Sequence, residues 1–374
     1  MNIITEEDII KTYPHQQQRF AEQYNSVVKL QLVGLATTKI KQKFGNIPQR
    51  TIHHWINKTR KPYPTKAVEE LENRGWLPFN LNNFEKARWA AGICGFLFGD
   101  GHITKKFEFL QFTSGFNKSG KKDLEKINKE FYKYFGIKNK IKKSKAEFSK
   151  SKLSYQLTIN SIPIARLFYC LGVPKGDKTR TKFGIPKWVY KHEDLVREFL
   201  RGLLWTEIKT PKIRRNTTYV DSIKFSMFKH KHINSHIDFL NEIKKCLHKF
   251  EIQTTKTISF KKESGFFEFG LRSHHLNCLK LMKELPPLYS TKKKRSFDKT
   301  IKRIYKIKNI ESYEELLENE KKKARKYAEA IKLRKEMGWG KRKIAKEIDI
   351  DQSSVARWIY YNVKSRSFRN LRND

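Results

Sequence analysis

Residues 89–101 read Trp89-Ala90-Ala91-Gly92-Ile93-Cys94-Gly95-Phe96-Leu97-Phe98-Gly99-Asp100-Gly101, and a second stretch reads Phe199-Leu200-Arg201-Gly202-Leu203-Leu204-Trp205-Thr206-Glu207-Ile208. Both predict an apolar helix. Gly95 and Gly99 are four apart, as are Gly202 and Thr206, so each pair of small residues shares one helical face. Such faces let two backbones approach closely. A single acid follows each face at once, Asp100 in the first stretch and Glu207 in the second. If the two helices pack on each other, the two carboxylates meet at the bottom of the interface. Like charges brought together are unfavourable unless a cation or a proton sits between them.

Working outward, the chain repeats itself. After Gly101 a strand is expected over Phe107–Thr113. A helix follows with Leu124, Ile127, Phe131 and Tyr134 on one face, ending near Gly136. A second strand alternates Leu153, Tyr155, Leu157, Ile159. Next come a helix over Ile162–Leu171 and a basic loop with Lys175, Lys178, Arg180 and Lys182. The second half replays this order. It has a strand within Tyr219–Phe228, a helix with Ile233, Ile237, Leu240, Ile243, Leu247 and Phe250 on one face, and a strand at Phe267, Phe269, Leu271. A helix over Leu276–Leu281 and a basic loop over Lys292–Arg295 complete it. The period is too long for a solenoid and occurs only twice. The expected class is α+β, a duplicated unit with two twisted sheets under helices and pseudo-twofold symmetry.

These residues resemble the LAGLIDADG homing endonuclease family, in its double-motif, monomeric form. Ile93 to Gly101 matches the first motif at the small residues, the acid and the final Gly. Leu200 to Ile208 matches the second less well. The resemblance covers roughly residues 84–305, and the stretch Cys170 to Thr179 looks like the family's basic loop before the second motif. It implies duplicated αββαββα units forming a DNA-binding saddle. It further implies that Asp100 and Glu207 hold divalent metal, with Gly99 and Thr206 beside them. Metal there activates a water and stabilises the leaving 3′ oxygen, one acid serving each DNA strand. Mg2+ suits an oxygen-only site. A lysine from each half assists, Lys178 or Lys182 in the first and Lys292 or Lys293 in the second. Phe98 and Trp205 stand where the family often has an acid, and Ile208 replaces a Gly whose backbone freedom Ile lacks. That departure leaves open a non-cleaving, DNA-binding transcriptional regulator on the same scaffold, or thirdly an RNA maturase.

The flanks read as helix-turn-helix regions. In Thr37–Ile56 a helix ends at Gly45 and restarts at Pro48. Ile40, Phe44, Ile52, Trp55 and Ile56 form its core, and Gln49, Arg50, His53 and His54 face outward to DNA. In Trp339–Ile359 the core is Ile344, Ala345, Ile348, Ile350, Val355, Trp358 and Ile359. Asp351 is the N-cap, and Gln352, Ser353, Ser354 and Arg357 face bases. The expected domains are therefore 1–76, 84–190, 191–305 and 311–374.

Composition agrees. Of 374 residues, 80 are Lys or Arg and 38 Asp or Glu, a net charge of +42 that calls for a polyanion, here double-stranded DNA. With 38% hydrophobic residues the chain can build cores, so wholesale disorder is excluded. No stretch reaches the ~18–20 apolar residues of a membrane helix. The acidic opening Met1–Asp8 is unlike a signal peptide. Cys94, Cys170, Cys246 and Cys278 are far apart, which argues against a disulfide framework or structural zinc and for a reducing, intracellular setting with the DNA, the cytoplasm in a prokaryote. His230, His232 and His236 sit beside lysines without a Cys or carboxylate grouping and read as phosphate-facing or surface residues. The run Lys321–Lys326 reads as a solvated helix face. No protein-splicing junction is expected, since the chain opens on Met1 and closes on Asp374 instead of Asn.

Overall fold

The computed structural model describes residues 2–145, 153–211, 223–228, 235–261, 265–272, 274–361, 363–365 and 367–368. It is α+β with antiparallel sheets, and it divides into two compact units, residues 1–206 and 207–374.

The first unit opens with five helices, α1 (Glu6–Lys11), α2 (His15–Leu32), α3 (Thr37–Lys43), α4 (Gln49–Ile56) and α5 (Tyr63–Asn73). Thr5 and Asp8 cap α1 reciprocally, each side chain accepting the other's backbone N–H. Tyr24 and Val27 of α2 bury Ile40, Ile47, Ile52 and Trp55, with Phe44 and Ile56 packed alongside. The motif helix α6 (Phe84–Phe98) leads into β1 (Gly101–Ile103) and β2 (Leu110–Gly115), then α7 (Lys118–Phe135), β3 (Ile141–Lys145), β4 (Leu153–Ile159) and α8 (Ile162–Cys170). A short 3-10 turn, Lys187–Lys191, precedes the second motif helix α9 (Glu193–Glu207). The sheet order is β1-β2-β4-β3. Leu110, Phe112, Leu157 and Ile159 point to one face and are buried with Leu124, Ile127, Phe131 and Phe135 of α7. Gly136 ends α7 in the left-handed region at φ 68°, where a glycine is needed.

The strand expected from Phe107 starts only at Leu110, as β2, and is preceded by the short β1. Phe107 itself has φ 63°, and the Thr104 hydroxyl accepts the Glu108 N–H at 2.7 Å, so residues 104–109 form the tight turn between β1 and β2. Residues 1–76 are also knit into this unit. Trp76 is fully buried, stacks on Phe135 with centroids 4.5 Å apart, and donates its indole N–H to the Tyr134 carbonyl at 3.0 Å. Arg74 donates to the Phe135 carbonyl.

The second unit contains β5 (Lys224–Phe228), α10 (Ser235–Lys249), β6 (Ser259–Lys261), β7 (Phe266–Gly270), α11 (His275–Glu284), α12 (Thr291–Lys308), α13 (Tyr313–Met337), α14 (Lys341–Glu347) and α15 (Gln352–Ile359). Its sheet order is β5-β7-β6. Ile208 adds a single antiparallel bridge to Phe225. Residues 292–295 are helical, not a loop. Phe297, Thr300 and Ile304 recur on one buried face of α12, so the lysine run belongs to its first turns. Ala330 of α13 joins Ile344, Ala345, Ile348 and Val355, with Ile350, Trp358 and Ile359 packed against them. His230 and His232 lie outside the described residues. No described helix is long and apolar enough to cross a membrane. No disulfide joins the four cysteines, all of which are among the described residues.

Candidate nucleic-acid interface and metal site

The two motif helices touch backbone to backbone within the first unit. A Cβ on Gly95 would stand 2.0 Å from the Phe199 carbonyl oxygen, and one on Gly202 would stand 2.1 Å from that of Gly92. A Cβ on Gly99 would stand 1.8 Å from Thr206 Oγ1. These four-residue steps are therefore the contact line itself. Thr206 keeps its hydroxyl satisfied by donating to the Leu203 carbonyl at 2.6 Å. Nearer the helix starts, buried Glu198 accepts from Arg88 at 2.8 Å and Arg201 at 2.7 Å. Motif matching alone passes over this ion-pair cluster; its signal is an acid in the middle of an otherwise apolar face.

Asp100 directly follows Gly99 in the turn after α6 and is exposed. Glu207, half-buried, is the last residue of α9. Both offer oxygen donors only, a set that fits Mg2+, which keeps much of its own water shell. Among the described residues no group of three or more His, Cys, Asp or Glu is gathered for a metal.

Lys178 is turned inward, onto the end of a helix. Its ammonium donates to the carbonyls of Leu97 at 3.0 Å, Phe98 at 3.2 Å and Gly101 at 2.6 Å, and to that of Gly99. Those of Leu97, Phe98 and Gly99 are orphan acceptors at the end of α6, where the helix dipole is negative, and that of Gly101 stands at the start of β1. Lys182 lies in the wall of a separate cavity with Lys105 and Lys175. Lys292 is exposed and Lys293 half-buried at the start of α12.

Each sheet presents a polar face opposite its core. In the first unit His102 pairs with Gln111 and Gln111 with Thr158, while Thr113 pairs with Gln156 and Gln156 with Lys142. In the second, Ser226 pairs with Glu268 and Glu268 with Ser259. Glu268 is buried and bridges Lys224 at 2.9 Å and Lys261 at 3.3 Å. Burial by itself would raise the Glu268 carboxyl, but hydrogen bonds and charge from the two lysines outweigh it and hold it below its ordinary value. Strand alternation alone could have singled out these side chains.

On the flanks, Gln49, Arg50 and His53 are exposed on α4, whereas His54 is half-buried with Nδ1 2.9 Å from the Thr59 hydroxyl. On α15, Gln352 and Arg357 are exposed. Ser353 donates its hydroxyl to Asp351 at 2.6 Å, and Ser354 donates its amide at 2.7 Å. Those bonds hold the Asp351 carboxyl down at about 2.

No family model matches the chain. It is 29% identical over 287 residues to a replication factor C small subunit of Methanocaldococcus jannaschii, covering 75% of this chain and 15% of that protein. It is 28% identical over 220 residues to the DNA-directed RNA polymerase subunit Rpo1N of the same organism, covering 55% and 16%. A tRNA-splicing ligase RtcB from that organism is 28% identical over 204 residues, covering 51% and 21%. The chain thus spans about a fifth or less of these relatives. Among solved structures, it is similar to the homing endonuclease I-WcaI bound to its DNA recognition sequence, with 15% identity and a TM-score of 0.38 over 60% of this chain and 96% of that one. The complex of I-DmoI with DNA and Ca gives 12% identity and a TM-score of 0.38 over 55% and 95%.

Proposed function

We propose that the chain is a site-specific, double-strand DNA endonuclease of the LAGLIDADG type, with residues 84–190 and 191–305 as its two halves and helical DNA grips at 1–76 and 311–374. The observation that carries this reading is the α6–α9 contact line, in which each helix ends its close-packed small residues immediately before one acid. Asp100 and Glu207 are the residues that would hold a divalent cation, which when bound would supply Lewis-acid activation of water and charge relief at the leaving 3′ oxygen. The chain's own residues do the positioning. Gly95, Gly99 and Gly202 set the helix spacing. Lys178 fixes the turn that carries Asp100 by binding the carbonyls on either side of it, and so acts as a positioning residue. The polar sheet faces, with Gln111 and Gln156 in the first unit and Lys224 and Lys261 in the second, read base edges, since amide and ammonium groups match adenine and guanine in the major groove. Gln352 and Arg357 on α15, and Gln49, Arg50 and His53 on α4, extend the site. The net charge of +42 supports duplex binding, and the reading takes the chain as a monomer with an internal pseudo-dimer, resident in the cell with its DNA.

The test is a cleavage selection from a randomised duplex library with Mg2+, repeated with Ca2+. Enriched double-strand breaks with Mg2+ and binding alone with Ca2+ support the reading. Sequence-specific binding that never yields a break under Mg2+ would instead support the non-cleaving regulator.

A further inference from the structure

A cavity of about 840 Å3 lies in the first unit between the end of α8 and the basic loop, with Lys105, Lys175, Arg180 and Lys182 in its wall beside Tyr169 and Phe183. The charge around it is poorly balanced. Asp177 is the acid in the wall, and it already pairs with Arg180 at 3.5 Å and accepts from the Thr179 amide and hydroxyl. Among the described residues, Lys105, Lys175 and Lys182 have no carboxylate at ion-pair distance.

Behind the wall is a further cation. Arg166 is only 7% exposed. Its guanidinium lies 3.4 Å from the Tyr13 ring centroid and 4.5 Å from that of Phe107, and Nη1 donates to the Thr12 carbonyl at 2.6 Å and hydroxyl at 2.8 Å. Its buried Nε–H has no acceptor. The ammonium of Lys175 lies 4.2 Å from the same Phe107 ring and 5.0 Å from that of Tyr169. One aromatic ring thus serves two cations, and it is held at the strained φ of 63°. Burial, and then the repulsion of Arg166 and Lys105, pull the Lys175 ammonium below its ordinary value. A buried cation with no counter-charge is costly. An anion entering the cavity would offset the charges of Lys105 and Lys175 in its wall and the repulsion that Lys175 feels from Arg166 behind it.

We propose that this cavity binds a phosphate group, and that the phosphate belongs to the backbone of a bound DNA strand. Several separate N–H donors on flexible stems suit the two unesterified oxygens of a phosphodiester. It is a grip distinct from Asp100 and Glu207. Its assignment to DNA rests on the endonuclease reading above; its phosphate chemistry does not.

The experiment uses the full chain as wild type, Lys105→Met, Lys175→Met, the double variant, and Lys129→Met as a control on an exposed face of α7. Duplex binding is followed by anisotropy with Ca2+ across a salt series, and inorganic phosphate and pyrophosphate are titrated calorimetrically. For a backbone phosphate, the dependence of log K on log salt flattens by about 0.9 for each phosphate that the cavity variants no longer neutralise, and by less in the control. An unchanged slope, with pyrophosphate bound by wild type and not by the double variant, keeps the phosphate site but assigns it to a free phosphate compound. If wild type binds duplex with ordinary salt dependence, yet the cavity variants match the control in both assays, the proposal is overturned. If wild type does not bind duplex at all, the DNA reading fails and the pyrophosphate arm alone judges the cavity. Lys105 is exposed, so Lys105→Met stands as the readout should the double variant not fold.

Discussion

The two motif ends solve the same problem differently. In the first, Gly101 starts β1 and pairs with Phe112. A Cβ there would lie 2.7 Å from Leu97 Cα, so the strand can only leave α6 because the residue is Gly. In the second, Ile208 bridges Phe225, and the Lys209 N–H donates to the Lys224 carbonyl at 2.9 Å. Ile208 is 2% exposed, so its side chain fills core where Gly101 leaves none. A departure from a motif therefore need not distort a site. The second end enters its sheet in the same antiparallel sense, with a buried side chain doing what backbone proximity does in the first.

That comparison can be broken at the acids first. Asp100→Asn and Glu207→Gln should each lower double-strand cleavage about a thousandfold or more, because weaker cation binding removes several kcal/mol of charge stabilisation and each ~1.4 kcal/mol is tenfold. Nicking by one variant and not the other, read on supercoiled plasmid, would show which half tolerates the change. Duplex affinity with Ca2+ should survive; a variant cutting both strands at wild-type rate would sink the assignment.

The reciprocal swaps come next. Ile208→Gly removes a buried side chain and should cost about 3–5 kcal/mol in denaturant unfolding. Gly101→Ile forces a branched side chain against Leu97 and should cost about 3 kcal/mol. If either swap is neutral, the two ends are interchangeable and there is one solution instead of two.

Lys178→Met probes the cap that the first end has. Leaving several helix-end carbonyls without their cation should cost about 1–3 kcal/mol, and Lys178→Arg should recover part of it. A fall in cleavage with unchanged unfolding would instead return Lys178 to direct chemistry.

The smallest effect concerns the polar faces. Neutral amides and hydroxyls fill most of the first, whereas a carboxylate between two lysines holds the second. Glu268 has a depressed folded-state value, so its contribution is present above its unfolded value of 4.5 and fades as pH falls through the lower folded one. Glu268→Gln should cost about 1 kcal/mol at neutral pH and make stability less dependent on pH below 4.5, measured by unfolding at stepped pH.

Much of this is legible in residue order. The Gly95/Gly99 and Gly202/Thr206 steps point to the helix contact, because a four-residue spacing fixes one face whatever surrounds it. The flanking cores follow the same logic, from Ile40 and Trp55 to Ile344 and Val355. Short β3 and β6 escape, being polar edge strands whose partner supplies the order. The start of α12 reads as a loop over Lys292–Arg295 because four consecutive basic residues mask the Phe297–Ile304 periodicity that begins after them. Lys178 stands out as a basic-loop candidate but does not separate from Lys182, since its role depends on acceptors about eighty residues away.

Trp76 has a consequence for anyone who would re-target such a protein by exchanging parts. Sequence suggests a detachable head ending at residue 76, yet that indole is shared property, stacked on Phe135 and adjacent to Trp89 at 5.6 Å. A cut there would leave Phe135 and Trp89 without the indole packed against them. The natural cassette is shorter: α2 to α4 close their own core around Tyr24, Ile40 and Trp55. Grafting residues 15–56 while keeping α1, α5 and Trp76 leaves the shared cluster whole, and makes those helices a replaceable attachment on a fixed chassis.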